Sequence, residues 1–356
     1  MSLADVDDAV WRCVDEGMVY GVPEIDGDSE PMTALRFMRD FVATNRPVVV
    51  RRDAAVRAWP AMAKWTSDAY LGEAFGDEAK VTVSWTPDGR ADAVTDGRFA
   101  KPCDEPMAMR AFLEALAAAG TRATNDGGPV PYAQAQNGCL ATEFARVADD
   151  VAGGIPWARE AFGVDADAAN VWLGGDRSVT SLHKDPYENC HTVVTGAKYF
   201  LLYPPTDRPC FDIKEVPAAT WTRSDSDGEP RFRLVDDDPA ETVSWIATDP
   251  GAEDAIFENP NLARSHPLHV IVGPGDVLYI PFLWYHRVEQ RPRTITVNYW
   301  FDATFTGPYL LHNALSDLCE LGIVSNKQLG DEGDDAPPTE PTVASVDAEG
   351  NIDFGT

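Results

Sequence analysis

Thr180-Ser-Leu-His183-Lys-Asp185-Pro-Tyr-Glu-Asn189, followed by Lys198 and, far downstream, by Pro281-Phe-Leu-Trp-Tyr-His286, decides how this chain is read. On an extended strand residues i and i+2 share a face, so His183 and Asp185 point into one cavity while Lys184 points away. That spacing makes two ligands for one metal. The third, His286, lies 101 positions beyond Asp185 (286 − 185), a separation that only a folded sheet closes.

Two imidazoles and one carboxylate on one face of an octahedron leave the opposite face for other ligands, the arrangement of non-haem Fe(II) oxygenases. The residues therefore predict a metal centre of His183, Asp185 and His286 and redox chemistry with dioxygen. A lone His-x-Asp is common by chance, so the surroundings carry the weight. Thr180 stands three residues before His183, Asn189 six after it and Lys198 fifteen after it, with Gly196 just upstream and Tyr203-Pro-Pro205 downstream.

With these spacings the chain resembles the JmjC family of 2-oxoglutarate dioxygenases, in the branch that holds protein asparaginyl and lysyl hydroxylases. Further segments carry the likeness to its small lysyl hydroxylases: Thr44-Asn-Arg-Pro47, Thr86-Pro-Asp-Gly-Arg-Ala-Asp-Ala-Val94 and Val297-Asn-Tyr-Trp300. It extends from about residue 30 to about residue 325. The resemblance implies Fe(II), 2-oxoglutarate as cosubstrate and dioxygen. Oxidative decarboxylation of 2-oxoglutarate to succinate would then be coupled to hydroxylation of a lysyl side chain in a protein partner, in close relatives a translation-associated GTPase. By the same resemblance Lys198 meets the distal carboxylate of the cosubstrate with Tyr132 and Thr180 as helper donors, and Asn189 and Asn298 approach its metal-bound end. Trp85, Asp88 and Asp92 are the expected substrate contacts. His191 stands where relatives commonly carry an aromatic residue.

The fold expected is mainly β with flanking helices, a double-stranded β-helix of the cupin or jelly-roll type. Short apolar segments at 171–174, 179–184, 191–203, 269–272, 276–280, 284–290 and 294–301, separated by Gly and Pro, supply its strands. On the last of these Thr294, Thr296, Asn298 and Trp300 alternate with Ile295, Val297 and Tyr299, so one side is polar enough to line a site. Tyr132, Gln134 and Gln136 alternate in the same way over 131–136, as in a strand facing a wet cavity. Helical spacing predicts helices at 3–16, 33–44, 109–116 and 308–323, the last with a stripe of Leu311, Ala314, Leu315 and Leu318.

These elements suggest a region at 1–130 that packs on a catalytic core at 131–305, a C-terminal helix at 306–326 and a disordered acidic tail at 327–356. The interval 206–265, long and acidic, is expected to be a surface insertion between barrel strands. The apolar stripes of the terminal helices suggest a homodimer.

A formal net charge of −29 opposes nucleic-acid binding, which draws on clustered Lys and Arg, and favours a basic partner. No apolar run is long enough for a bilayer or for a secretory leader. Six scattered cysteines without C-x-x-C spacing read as reduced thiols, as in the cytoplasm or nucleus. Two other readings share the motif: removal of N-methyl groups from lysine or arginine, and a catalytically silent cupin used for binding.

Overall fold

Two long strands, Tyr187–Tyr203 and Tyr285–Asp302, organise the computed structural model. They pair antiparallel from Tyr187 opposite Asp302 to Tyr203 opposite Tyr285. Each serves two layers in turn. In one layer their 187–193 and 294–302 halves are flanked by Val277–Ile280 and Ala168–Gly174, with Val48–Arg51 added beyond. In the other, their 198–203 and 285–290 halves are flanked by Leu268–Val272 and Val179–Lys184. The chain passes between layers at register slips around Thr195, beside Gly196. Gly196 adopts a positive φ of 76°, and a Cβ there would lie 2.3 Å from the Arg293 carbonyl oxygen, so a side chain is excluded. The result is the double-stranded β-helix expected from the sequence.

The structure describes residues 2–16, 21–121, 127–136, 138–226, 229–324, 345–346 and 352–353. Met1–Ser325 form one compact unit and Asn326–Thr356 another. In the second, Ser345–Val346 pairs with Ile352–Asp353; the rest of the tail expected at 327–356 lies outside the described residues.

Alternation along 294–300 sorts the core. Ile295, Val297 and Tyr299 join Phe37, Phe41, Trp59, Trp65 and Tyr279 on the outer face, where helices of the first 160 residues cover the sheet. Inside the barrel Val193, Phe200, Leu202, Leu268, Val270, Val272, Leu278, Ile280 and Val288 make a second cluster. Each such side chain contributes on the order of 1.5–3 kcal/mol when fully buried. Cluster and cavity share the barrel interior. The helix expected at 33–44 is Ala34–Phe37, capped by the Thr33 hydroxyl, and continues as a π turn over Met38–Val42.

The interval 206–265 is more regular than its composition suggested. Ile213–Ser226 pairs with Glu229–Asp236, with Thr242–Ile246 and, in parallel, with Arg98–Lys101. Short alternations run through it: Phe232 and Leu234 are half-buried between the exposed Arg231, Arg233 and Val235, and Val243 and Trp245 between the exposed Thr242 and Ser244, with Val243 and Trp245 packed against Phe99, Val216 and Ala218. A buried ion network ties the loop after this sheet to the barrel: Arg287 donates to Asp249 at 2.6 Å and to Glu289 at 2.5 Å.

The C-terminal helix, Gly307–Glu320, buries His312 and Leu315. Leu318 is half-buried and Ala314 exposed, while Leu311 is 47% exposed. The stripe drawn from sequence is therefore split, because the helix turns the His312 face inward, where Tyr285 and His312 Nε2 lie 2.9 Å apart in a hydrogen bond.

Candidate active site

His183 and His286 face each other across the pairing of Val179–Lys184 with Tyr285–Asp302. Their ring centroids are 4.2 Å apart. The first strand ends at Lys184, and Asp185 follows at the point where the chain turns. Asp185 places one oxygen 3.7 Å from His183 Nε2 and the other 3.5 Å from His286 Nε2. The candidate ligand atoms of all three lie within 4.8 Å of one another. Lys184 points out and is exposed.

The imidazoles are aimed by hydrogen bonds of one kind. His183 Nδ1 donates to the Ser181 carbonyl at 2.8 Å and His286 Nδ1 to the Trp284 carbonyl at 3.1 Å. Each ring thereby presents its other nitrogen, Nε2, to Asp185, the tautomer a metal ligand requires. Burial holds His183 down at about 4, so it is neutral at physiological pH. Burial works against ionised Asp185, but the facing His286 and His183 outweigh it and hold the carboxyl below its usual value. One carboxylate oxygen and two imidazole nitrogens converge here, a donor set that fits a divalent transition metal such as Fe(II).

The turn before His286 is pinned from two sides. Glu188 accepts from the Tyr279 hydroxyl at 2.6 Å and from the Phe282 N–H at 3.0 Å. Asn45, of the Thr44-Asn-Arg-Pro47 segment, donates to the Phe282 carbonyl and accepts from Trp284 Nε1.

Behind the triad the cavity is lined by Trp172, Thr180, Asn189, His191, Lys198, Phe200, Ile280, Val288, Asn298 and Trp300, with Gln136 near its mouth. Lys198 is 2% exposed. Its ammonium stands 5.1 Å from the Trp172 ring centroid, and no carboxylate of the described residues pairs with it. Burial pushes it down to about 7. A buried ammonium without a counter-ion is costly, and an anionic ligand removes that cost.

Asn298 donates to Asn189 Oδ1 at 3.1 Å and accepts from Trp172 Nε1 at 2.9 Å, so the two amides are held as a pair. Tyr132 is buried with its hydroxyl unpaired; Thr180 and Gln290 are its polar neighbours. The strand it sits on is Val130–Ala133, shorter than the expected 131–136, and Gln134 is buried beyond its end.

The expected substrate contacts are dispersed. Trp85 is 5% exposed and covered by the Arg223 guanidinium, 4.2 Å from its ring centroid. Asp88 pairs with Arg90 at 2.8 Å and is turned to solvent. Asp92 accepts from the Ser181 hydroxyl at 2.5 Å through its backbone carbonyl, and burial with Asp104 nearby pushes its carboxyl up to about 6. None of the three lines the cavity.

Trp245 escaped the sequence reading altogether. It lies on Thr242–Ile246 of the insertion, donates Nε1–H to Ser181 Oγ at 3.2 Å, and stacks parallel to His183 at a centroid distance of 6.3 Å. The alternation of Thr242-Val-Ser-Trp-Ile246 is the signal that could have marked this half-buried strand, whereas the approach of the indole to His183 depends on contacts between distant segments.

The profile of the cupin-like domain family matches residues 34–307. The chain belongs to the cupin-like JmjC family. It is 38% identical over 297 residues to the bifunctional peptidase and (3S)-lysyl hydroxylase JMJD7 of Homo sapiens, covering 83% of this chain and 89% of that one. To the lysine-specific demethylase JMJ32 of Arabidopsis thaliana it is 39% identical over 328 residues, or 87% and 90% of the two chains. JmjC domain-containing protein E of Dictyostelium discoideum is 35% identical over 314 residues, 81% and 87%. Within this JmjC fold the His183, Asp185 and His286 cluster and the cavity behind it form one pocket of mixed polar and apolar lining.

Proposed function

We propose that the protein is an Fe(II)- and 2-oxoglutarate-dependent dioxygenase that hydroxylates a lysyl side chain of a protein substrate. The observation that carries this reading is Lys198, a buried ammonium without a counter-ion in the same cavity as two imidazoles and a carboxylate that converge on one point. A dicarboxylate cosubstrate supplies the anion that Lys198 lacks. The relatives JMJD7 and JMJ32 carry names that state a lysyl hydroxylase and a lysine-specific demethylase. Both names place lysine at the reacting end.

In this reading His183, Asp185 and His286 hold the iron, with Asp185 offsetting part of its charge. Lys198 binds the distal carboxylate of 2-oxoglutarate, and Tyr132 and Thr180 add hydroxyl donors beside it. Asn189 and Asn298, fixed as a pair, offer amide groups at the metal end. Phe200, Ile280 and Val288 keep the cosubstrate's surroundings dry. When bound, iron and cosubstrate supply the oxidising chemistry: one atom of dioxygen enters succinate as CO2 is lost, and the other enters a substrate C–H bond. The chain's own part is to bind, orient and exclude water.

The net charge of −29 favours a basic, lysine-bearing segment as partner, with a translation-associated GTPase the first to test. Among the described residues no helix is long and apolar enough to cross a membrane, and the six cysteines are free thiols, as suits the cytoplasm or nucleus. Phe305, Leu310, Leu311 and Leu321, 64%, 67%, 47% and 72% exposed, cluster in sequence around the C-terminal helix and support a homodimer formed there.

N-methyl-lysine demethylation is the second reading, favoured by the JMJ32 likeness, and would use the same residues. Mass spectrometry under isotopically heavy dioxygen separates the two. Hydroxylation leaves one heavy oxygen atom on the peptide; demethylation leaves a lighter, unlabelled peptide and releases formaldehyde.

A further inference from the structure

His191 is a buried polar side chain with nothing to bond. The protein has six histidines, and five of them have a hydrogen-bonded ring nitrogen: His183 and His286 to backbone carbonyls, His266 to Asp207, His269 to Tyr199 and His312 to Tyr285. His191 has no ring hydrogen bond; it is 4% exposed and its Nε2 is unpaired. Its strand position explains the orientation. His191 lies opposite Asn298 on one side and Leu278 on the other, two residues along the same strand from Asn189, and so projects into the barrel. There it lines the cavity with Lys198 and the metal-ligand residues, held edge-on to Phe200 at a centroid distance of 5.2 Å. Burial and the nearby Lys198 keep its ring neutral, with one N–H to give.

A buried donor without an acceptor is destabilising, and native proteins seldom retain one unless water or a ligand completes it. Here the cavity already holds an unpaired cation that calls for an anion. We propose that His191 is a further binding residue for the anionic cosubstrate, donating its N–H to a 2-oxoglutarate oxygen beside the contact made by Lys198. Phe200, packed on the ring, holds it in that direction. This inference rests on the dioxygenase reading above, and it adds a ring N–H to the hydroxyl and amide donors already grouped around Lys198.

The test is calorimetric titration of 2-oxoglutarate into Fe(II)-loaded protein under argon, comparing wild type, His191→Phe and His191→Gln. Removing the donor while keeping the ring volume should weaken binding roughly ten- to a hundredfold, the range for a hydrogen bond to a charged group. His191→Gln, which keeps an N–H, should recover much of the loss, and the Fe(II) affinity of both variants should match wild type. Equal cosubstrate affinity in wild type and His191→Phe overturns the inference and leaves the dioxygenase reading standing. No binding by wild type overturns both. Should His191→Phe fail to fold, nitrogen-15 histidine spectra of Zn(II)-loaded wild type decide: a His191 ring nitrogen that shifts on addition of 2-oxoglutarate supports the contact, and an unmoved one refutes it.

Discussion

His183 and His286, 103 residues apart in the chain (286 − 183), are direct cross-strand partners with ring centroids 4.2 Å apart. Because each ring is tied through Nδ1 to the carbonyl two residues before it, the pairing of two strands sets the spacing of two Nε2 atoms. Asp185 then needs only the turn at the strand end to close the triangle. Asp185→Ala or His183→Ala should therefore abolish iron retention and 2-oxoglutarate turnover while the barrel stays folded. Metal analysis after gel filtration, read with the circular dichroism spectrum, checks both halves of this expectation.

Lys198→Met keeps the stem and removes the ammonium. The affinity for 2-oxoglutarate should fall by about 2–5 kcal/mol, the cost of burying a carboxylate without its partner. An unchanged requirement, read from succinate formation against cosubstrate concentration, would assign the distal carboxylate to another group.

Lys198 also predicts a proton. Its value in the folded, ligand-free protein is about 7, against the ordinary 10.5. Below pH 7 it is charged in both folded and unfolded chains and its burial penalty is complete. Between those two values the unfolded chain holds a proton that the folded one lacks, so the penalty fades and this residue's contribution to stability rises with pH. An anion bound beside it restores the charge. Binding of 2-oxoglutarate above pH 7 should thus take up protons, seen as a dependence of the calorimetric enthalpy on buffer ionisation heat, and Lys198→Met should lose that dependence.

Trp245 braces Ser181, whose carbonyl aims His183. Trp245→Ala removes both the indole over the imidazole and the Nε1–H···Ser181 hydrogen bond. A loss of iron affinity on the order of tenfold is expected, as for other groups that orient a ligand from behind. Competition with a fluorescent chelator measures it, and Trp245→Phe should lie between the variant and wild type.

The two faces of the C-terminal helix should respond differently. Leu310→Glu with Leu311→Glu changes exposed positions and is expected to yield monomers in sedimentation velocity with little change in melting temperature. Leu315→Glu, at a residue 3% exposed, should instead destabilise the fold, because a carboxylate would be desolvated without a partner.

Local pattern made much of this legible in advance. The alternation from Thr294 to Trp300 specifies the faces of a strand, and the strand kept those faces; the i, i+2 pair His183 and Asp185 also converges, although Asp185 lies just past the end of its strand. What stayed hidden depends on contacts between distant segments. Trp245 sits in an acidic stretch where the alternation from Thr242 to Ile246 marks a short strand but not its neighbour His183. Arg287 reads as a surface charge until Asp249 and Glu289 are placed beside it. Trp85 is covered by Arg223, a contact between distant segments that a sequence does not show.

The most direct measurement needs no knowledge of the protein substrate. A 2-oxo acid that chelates Fe(II) through its carboxylate and ketone produces a visible charge-transfer band, which can be recorded without oxygen. Wild-type protein loaded with Fe(II) should develop this band as 2-oxoglutarate is added, Asp185→Ala should not, and Lys198→Met should need far more cosubstrate. If wild type shows no band at saturating iron and 2-oxoglutarate, the cavity behind His183, Asp185 and His286 is not a 2-oxoglutarate site.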